Sequence, residues 1–135
     1  MARVLAAIGD LFFGARVVET ARQLDVPLLL AGSPEDLMEK ARADRPGLVI
    51  FDLNAERCRP LEAIRRMKAD PHLQGVALLG FFSHVDIPLK RAAAQAGCDR
   101  ILARSAFTAE LPEILRPYAA PSPSSSPPPL GERSG

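Results

Sequence analysis

Short apolar runs alternate with segments of helical period along residues 1–120. The apolar runs predict five β-strands, at residues 3–8, 26–31, 47–53, 75–82 and 100–103. The segments between them carry apolar residues three or four positions apart and predict five helices, at 11–24, from 34 onward, at 60–69, at about 88–96 and from Thr108 onward. Strand and helix therefore follow each other in regular alternation.

Local signals mark several helix boundaries. Ser33 is a predicted N-cap of helix 2, because Pro34 follows at the first helical position and Asp36 lies three residues after the cap. Gly97 is a typical stop for helix 4, since glycine adopts the left-handed backbone at low cost. The predicted strands are apolar on both faces, which favours parallel pairing with helices on each side. The predicted fold class is α/β, a doubly wound five-stranded parallel sheet with helices on both faces.

The last segment, residues 121–135, differs sharply in composition. It reads PSPSSSPPPLGERSG and holds too few apolar residues to offset the entropy of ordering, so it predicts a disordered Pro/Ser-rich tail. A solubilising tail, a linker and a polyproline docking segment all fit this composition. Residues 1–120 are then one domain, and their apolar content is sufficient for a core.

Charge and cysteine usage exclude several classes of partner. The formal net charge of +1 gives no electrostatic case for nucleic acid or for an anionic membrane surface. No stretch approaches the roughly 20 apolar residues that span a bilayer. Cys58 and Cys98 have no metal-ligand spacing and predict reduced thiols, so a cytoplasmic location is expected.

Polar residues follow several predicted strands at their carboxyl ends, where α/β folds place their chemistry. Asp52 ends strand 3 and Asp10 follows strand 1, so the two carboxylates are expected to be neighbours. The other residues at this edge are Phe82, Ser83, His84, Arg104 and Ser105. Because a buried unpaired carboxylate costs several kcal/mol, Asp52 must be solvated, be paired, or take part in chemistry.

Three stretches resemble the receiver domain of two-component response regulators, over residues 3 to about 118. They read LVIFDL, IRRMKADPHLQGVALLGFFSHVD and RAAAQAGCDRILARSAF. The resemblance implies a flavodoxin-like sheet with strand order 2-1-3-4-5. It also implies transfer of a phosphoryl group from a histidine kinase to one aspartate, assisted by a divalent metal on neighbouring carboxylates.

Several functional positions of the family are altered in this sequence. Asp52 matches the phosphoacceptor, but the acidic pair after strand 1 falls on Gly9 and Asp10. The hydroxyl residue that the family has after strand 4 falls on Phe82, or on Ser83 as a substitute if the strand end shifts by one. The family's lysine falls on Arg104, and its switching aromatic residue falls on Ile101.

These departures weaken both metal binding and switching. Asp10 and Asp52 remain as Mg²⁺ ligands, but one carboxylate fewer lowers the expected affinity. Arg104 supplies charge, yet its planar fork differs from a compact lysine ammonium. Phe82 cannot hydrogen-bond a phosphoryl group, and Ile101 has no ring to move.

The leading hypothesis is a pseudo-receiver, a non-enzymatic interaction module that needs no cofactor and has weak or no phosphorylation switching. No DNA-binding or enzymatic domain is expected beside it. Output would pass to a partner protein or a self-dimer through helix 4, strand 5 and helix 5, and neither nucleic acid nor a membrane is expected as partner. The residues predicted on this face are Lys90, Arg91, Ile101, Ala103 and Phe107.

Two other functions stay open. A working single-domain response regulator would be phosphorylated on Asp52 with Mg²⁺ on Asp10, and would use Ser83 and Arg104 in altered roles. A small enzyme or nucleotide-binding protein fits less well, because GDLFFG after strand 1 lacks a glycine-rich phosphate loop.

The residues near Asp52 carry simpler interpretations as well. Asp10 could act only as the N-cap of helix 1, and Asp52 could form a structural ion pair with Arg104. Phe12 is expected either to lie over the cleft or to pack against its neighbours. His84 is most simply a loop histidine.

Overall fold

A computed structural model describes residues 3–84 and 86–120. The predicted tail at 121–135 lies outside the described residues. One five-stranded parallel sheet forms the centre, with strand order β2-β1-β3-β4-β5. Its strands are Val4–Ala7 (β1), Leu28–Leu30 (β2), Leu48–Asp52 (β3), Ala77–Phe82 (β4) and Arg100–Ala103 (β5). The prediction of a flavodoxin-like fold with this order is confirmed.

Five α-helices connect and follow the strands. They are Leu11–Gln23 (α1), Pro34–Ala43 (α2), Pro60–Ala69 (α3), Ile87–Ala96 (α4) and Arg104–Leu115 (α5). Short 3₁₀ turns occupy Glu56–Cys58, Pro71–Leu73 and Arg116–Tyr118. Within the described residues, no helix is both long and apolar enough to cross a membrane.

Two apolar layers pack on opposite faces of the sheet. One contains side chains of α2, α3 and α4, and the other contains side chains of α1 and α5. In the second layer the Phe81 and Phe107 rings stack at 4.7 Å between centroids, and the Phe13 ring lies 5.2 Å from that of Phe81. Cys58 and Cys98 are unpaired and buried in the first layer. Helices therefore cover both faces, as the apolar strands predict.

The helix boundaries show which local sequence signals were sufficient to predict where a helix begins or ends. Ser33 caps α2 through a hydrogen bond from the Asp36 N–H, and Gly97 ends α4 with φ of 117°, as predicted. The predicted start of the last helix at Thr108 is wrong, because α5 begins at Arg104. Ala103 leads directly from β5 into the helix and provides no side-chain cap, so no capping signal marks this boundary in the sequence.

The edge strand β2 departs from the expected burial. Leu29 and Leu30 are exposed by 48% and 41%, although the apolar run predicts a strand covered on both faces. The physical reason is position, because β2 has only β1 as a neighbour in the sheet. Strand β2 is also shorter than predicted and includes only Leu28–Leu30.

Candidate functional site

The candidate site is a cleft at the carboxyl end of the sheet, with a volume of about 460 Å³. Asp52 is the last residue of β3, and Asp10 immediately precedes α1. Parallel pairing of β1 with β3 brings these two ends together. The cleft also contains Ser83 from the end of β4 and Arg104 from the start of α5. The predicted convergence of these four residues is therefore seen in the structure.

Asp52 lies nearly buried at the floor of the cleft, with 6% of its surface exposed. Its Oδ2 accepts a hydrogen bond from the Gly9 N–H at 3.3 Å, and its Oδ1 accepts one from the Asn54 N–H at 3.2 Å. Burial raises the pKa of Asp52, and the two backbone hydrogen bonds and the charge of Arg104 oppose that rise. The carboxylate is thus held by backbone donors in a site that disfavours its charge.

Arg104 pairs with Asp10, which corrects the expectation of an ion pair with Asp52. Its Nη2 lies 3.2 Å from Asp10 Oδ2, and its Nη1 donates to Ser83 Oγ at 3.3 Å. The guanidinium carbon stands 4.0 Å from the centroid of the Phe13 ring, which is a cation–π contact. Among the described residues, Asp52 has no ion pair. The start of α5 at Arg104 directs this side chain toward α1.

Asp10 caps α1, as its position before the helix predicts. Its Oδ1 accepts hydrogen bonds from the Phe12 N–H at 2.9 Å and the Phe13 N–H at 3.1 Å, and its Oδ2 accepts from Arg104. The Phe13 hydrogen bond is the main cause that lowers the pKa of Asp10, and Arg104 lowers it further. Both oxygens of this carboxylate therefore have donors within the protein.

Asn54 is a site residue that the sequence analysis missed. Its Oδ1 accepts hydrogen bonds from the Ser83 N–H at 2.6 Å and the His84 N–H at 3.3 Å. Asn54 thus joins the loop after β3 to the loop after β4. The only sequence signal was an amide two residues after Asp52, which is common in turns and does not identify a distant partner.

Ser83, rather than Phe82, presents its side chain to the cleft. Phe82 is the last residue of β4 and is partly buried, and Lys90 Nζ lies 5.9 Å from its ring centroid. Ser83 follows the strand end, lines the cleft and accepts from Arg104. Ile101 is half-buried and packs against the layer of α2, α3 and α4.

Other predicted residues occupy different environments. Lys90 and Arg91 are exposed on α4, and Ala103 is half-buried. Phe107 is fully buried against Phe81, so its predicted place on a partner face is wrong, because α5 turns that position toward the sheet. Phe12 is 87% exposed and does not line the cleft, which overturns the expectation that it covers the site or packs.

The three-carboxylate metal site that the resemblance implies is incomplete in the residues present. Gly9 falls where the family has its first carboxylate, and a Cβ built there would lie 2.8 Å from the Cβ of Ala55. A side chain at this position would therefore require Ala55 to move. Within residues 3–84 and 86–120, no three His, Cys, Asp or Glu side chains group in a way that could hold a metal ion. The cleft thus keeps two carboxylates, Asp10 and Asp52, and lacks the third that the family has.

Comparison with known proteins gives one sequence relative and many structural neighbours. No family model matches the sequence. The transcriptional activator protein ExaE of Pseudomonas putida is 32% identical over 91 residues, which are 67% of this chain and 42% of that protein. The chain therefore spans less than half the length of this curated relative.

Solved structures of response regulators match this chain over most of its length. The chemotaxis protein CheY4 of Vibrio cholerae gives a TM-score of 0.75 at 18% identity, over 87% of this chain and 98% of that one. A two-component response regulator from Legionella pneumophila gives 0.72 at 13% identity, over 87% and 99%. The phosphorylated cyanobacterial phytochrome response regulator RcpA gives 0.69 at 17% identity, over 87% and 91%. At these identities the likeness shows the fold alone.

Proposed function

We propose that this chain, which has the fold of the response-regulator receiver domains, is a signalling module that binds a partner protein with little or no phosphorylation switching. The observation that carries the proposal is the position of Arg104. This residue holds Asp10 and Ser83 at the same time, while Asn54 holds the backbone of Ser83. The loops after β1, β3 and β4 and the start of α5 are therefore joined by contacts within the protein.

The lost switching chemistry follows from the same contacts. In the family that the sequence resembles, a hydroxyl after strand 4 moves to the phosphoryl oxygens, and an aromatic residue of strand 5 follows it. Here the available hydroxyl, on Ser83, accepts from Arg104, and its backbone N–H is bound to Asn54. Ile101 replaces the aromatic ring. Moving Ser83 would require breaking these contacts, and Ile101 offers no ring to report that movement.

Phosphoryl transfer to Asp52 is also poorly supported by its surroundings. Such a transfer needs cations that neutralise the phosphoryl oxygens and hold them in place. Arg104 is a cation close to Asp52, but Asp10 already neutralises part of its charge. Burial also disfavours the charge of Asp52, which raises its pKa.

The proposed output surface is formed by α4, β5 and α5. Lys90 and Arg91 are exposed on α4, and Ile87 at its start is 59% exposed. An apolar side chain beside two cations is suited to an acidic protein surface with an apolar centre. The formal net charge of +1 favours a protein partner over DNA.

A second candidate function is a working receiver that is phosphorylated on Asp52. It is favoured by the open cleft at the end of β3, which places Asp52, Ser83 and Arg104 around one volume of about 460 Å³. In this alternative, Arg104 would leave Asp10 and contact the phosphoryl oxygens. Ser83 would then be released from Arg104 and could move to donate its hydroxyl hydrogen to a phosphoryl oxygen.

Intact mass and NMR measurements after treatment with Mg²⁺ and acetyl phosphate, or with beryllofluoride, separate the two functions. We expect no phosphoryl adduct and no amide shifts that spread from Asp52 to Ile101. The matched control is Asp52→Asn, which removes the acceptor oxygen. A single adduct that disappears in this variant, with shifts at Ile101 and Arg104, would establish the working receiver instead.

A further inference from the structure

The exposed large apolar side chains are concentrated at one edge of the molecule. Five such side chains are exposed in the described residues, and two of them, Leu29 and Leu30, belong to the edge strand β2. Two more, Leu11 and Phe12, are 84% and 87% exposed in the first turn of α1. Phe12 lies about 160° around α1 from Gly14, the position next to Leu30, and Ile87 lies on α4, so these two are apart from the group. Monomeric proteins seldom expose neighbouring apolar residues in this way without a binding role.

Helix α1 extends the apolar surface of β2. The Cβ position of Gly14 lies 3.7 Å from Leu30 Cδ1, so α1 and the edge strand are in close contact. Leu11, Ala15 and Val18 are four and three positions apart and thus share one side of α1. Gly14 falls on the same side, next to Leu30. The first two turns of α1 therefore carry an apolar stripe beside the exposed strand, and the stripe ends at Arg22, which is paired with Glu19.

The backbone of β2 offers unpaired hydrogen-bonding groups along its outer side. The Pro27 carbonyl and the Ala31 N–H bond to β1, so by alternation the N–H and C=O groups of Leu28 and Leu30 point away from the sheet. Within the described residues, no strand other than β1 pairs with β2. These groups form a template for another strand.

The two edges of the sheet differ in charge. Residues 26–33 read VPLLLAGS and contain no ionisable side chain. At the opposite edge, β5 begins with Arg100, which forms an ion pair with Glu110 at 2.6 Å. Charged side chains are a usual protection of edge strands against pairing, and β2 lacks them. An uncharged strand edge fits another uncharged strand edge, so it selects β2 of a second copy rather than β5.

We propose that β2 and the adjoining side of α1 form a two-fold interface with a second copy of this chain, in which the two β2 strands pair antiparallel. With Leu29 at the axis, Leu28 of one copy lies opposite Leu30 of the other. These are the residues whose backbone groups point outward, so each such pair exchanges both its N–H···O=C bonds. A two-fold axis perpendicular to the sheet keeps both α1 helices on the same face, where their apolar stripes meet.

This interface is distinct from the proposed partner surface on α4, β5 and α5, which lies at the opposite edge. The dimer would therefore leave both copies of that surface open. It also does not depend on the state of Asp52, because neither β2 nor the outer side of α1 contributes to the cleft.

Sedimentation velocity of the full chain over a wide concentration range tests the proposal. We expect a monomer–dimer equilibrium that Leu30→Lys and Leu11→Lys each weaken more than tenfold. Ile87→Lys is the matched control, since it places the same charge at an exposed apolar position on α4 and should leave the equilibrium unchanged. Circular dichroism confirms folding, and Leu11→Lys serves if Leu30→Lys does not fold.

Hydrogen exchange adds a readout at the level of single amides. The Leu28 and Leu30 amides should become protected as concentration rises, whereas the Leu29 amide, which points toward β1, is protected throughout. A monomer at every concentration would overturn the proposal. A dimer that tolerates both Leu30→Lys and Leu11→Lys, or that only Ile87→Lys disrupts, would overturn it equally.

Discussion

At the scale of single residues, the cleft depends on which carboxylate holds Arg104. Asp10 accepts the guanidinium, while Asp52 is left to the backbone N–H groups of Gly9 and Asn54. The pKa values of the two carboxylates are consequently shifted in opposite directions. Burial raises the pKa of Asp52, and hydrogen bonding lowers that of Asp10.

Replacement of Arg104 by alanine should lower the free energy of unfolding. The cation–π contact with Phe13 contributes about 0.5–1 kcal/mol, and the hydrogen bonds to Asp10 and Ser83 are lost with it. Urea denaturation measures the change. Arg91→Ala, at an exposed position on α4, is the control and should have almost no effect. Equal stability of the two variants would mean that Arg104 does not hold the loops together.

Replacement of Asp52 by asparagine should have an effect that depends on pH. Because the folded pKa of Asp52 is raised, the folded state binds a proton more tightly than the unfolded state does. The stability that this proton provides is present below the unfolded pKa and is lost as pH rises through the folded pKa. Relative to the unsubstituted protein, Asp52→Asn should therefore be more stable at pH 7 than at pH 3. The difference in unfolding free energy, variant minus unsubstituted protein, should be larger at pH 7. Denaturation curves at both values test this, and a difference independent of pH would contradict it.

At the scale of elements, two loops interlock in the space where the family has a carboxylate. Gly9 follows β1, and Ala55 follows β3. The Ala55 Cβ lies only 2.8 Å from the position that a Cβ of residue 9 would take. The missing side chain at 9 is thus matched by a methyl group at 55.

A double-mutant cycle at these two positions tests the interlock. Gly9→Ala alone should destabilise the protein by about 1–3 kcal/mol, which is typical of overpacking. Ala55→Gly removes the opposing methyl, so the double variant should recover most of the loss. Chemical denaturation of all four proteins measures the coupling energy. Additive effects would show that the two loops do not restrict each other.

At the scale of the whole molecule, three aromatic rings join α1, β4 and α5 on one face of the sheet. Phe107 is fully buried between these elements, while Phe12 of the same residue type is 87% exposed. The sequence does not distinguish the two, because each lies at the start of a helix, Phe12 in LFFG and Phe107 in SAFT. The fold does so by turning one position toward the sheet and the other toward solvent.

Phe107→Ala should therefore cost about 3–5 kcal/mol of unfolding free energy, as is usual for a buried phenylalanine. That is a large share of the roughly 5–15 kcal/mol that stabilises a domain. Phe12→Ala is the matched control and should change stability by less than about 0.5 kcal/mol. Thermal or urea unfolding compares the two, and similar losses would contradict the burial assigned to Phe107.

The sequence by itself determined the five strands, their parallel pairing and the end of the sheet where polar residues gather. Apolar runs flanked by helices can be buried only in such a sheet, and a parallel sheet gathers its strand ends at one edge. The capping signals at Ser33 and Gly97 were sufficient for the same reason, since each acts within a few residues.

Only the tertiary structure decided which residues of the site meet. The pairing of Arg104 with Asp10, the role of Asn54 and the burial of Phe107 depend on where α5 begins and on contacts between distant segments. Ala103 leads into α5 with no capping side chain, so no local pattern reveals the direction of Arg104. Local sequence fixes helix and strand, whereas side-chain partners far apart in the chain are chosen by packing.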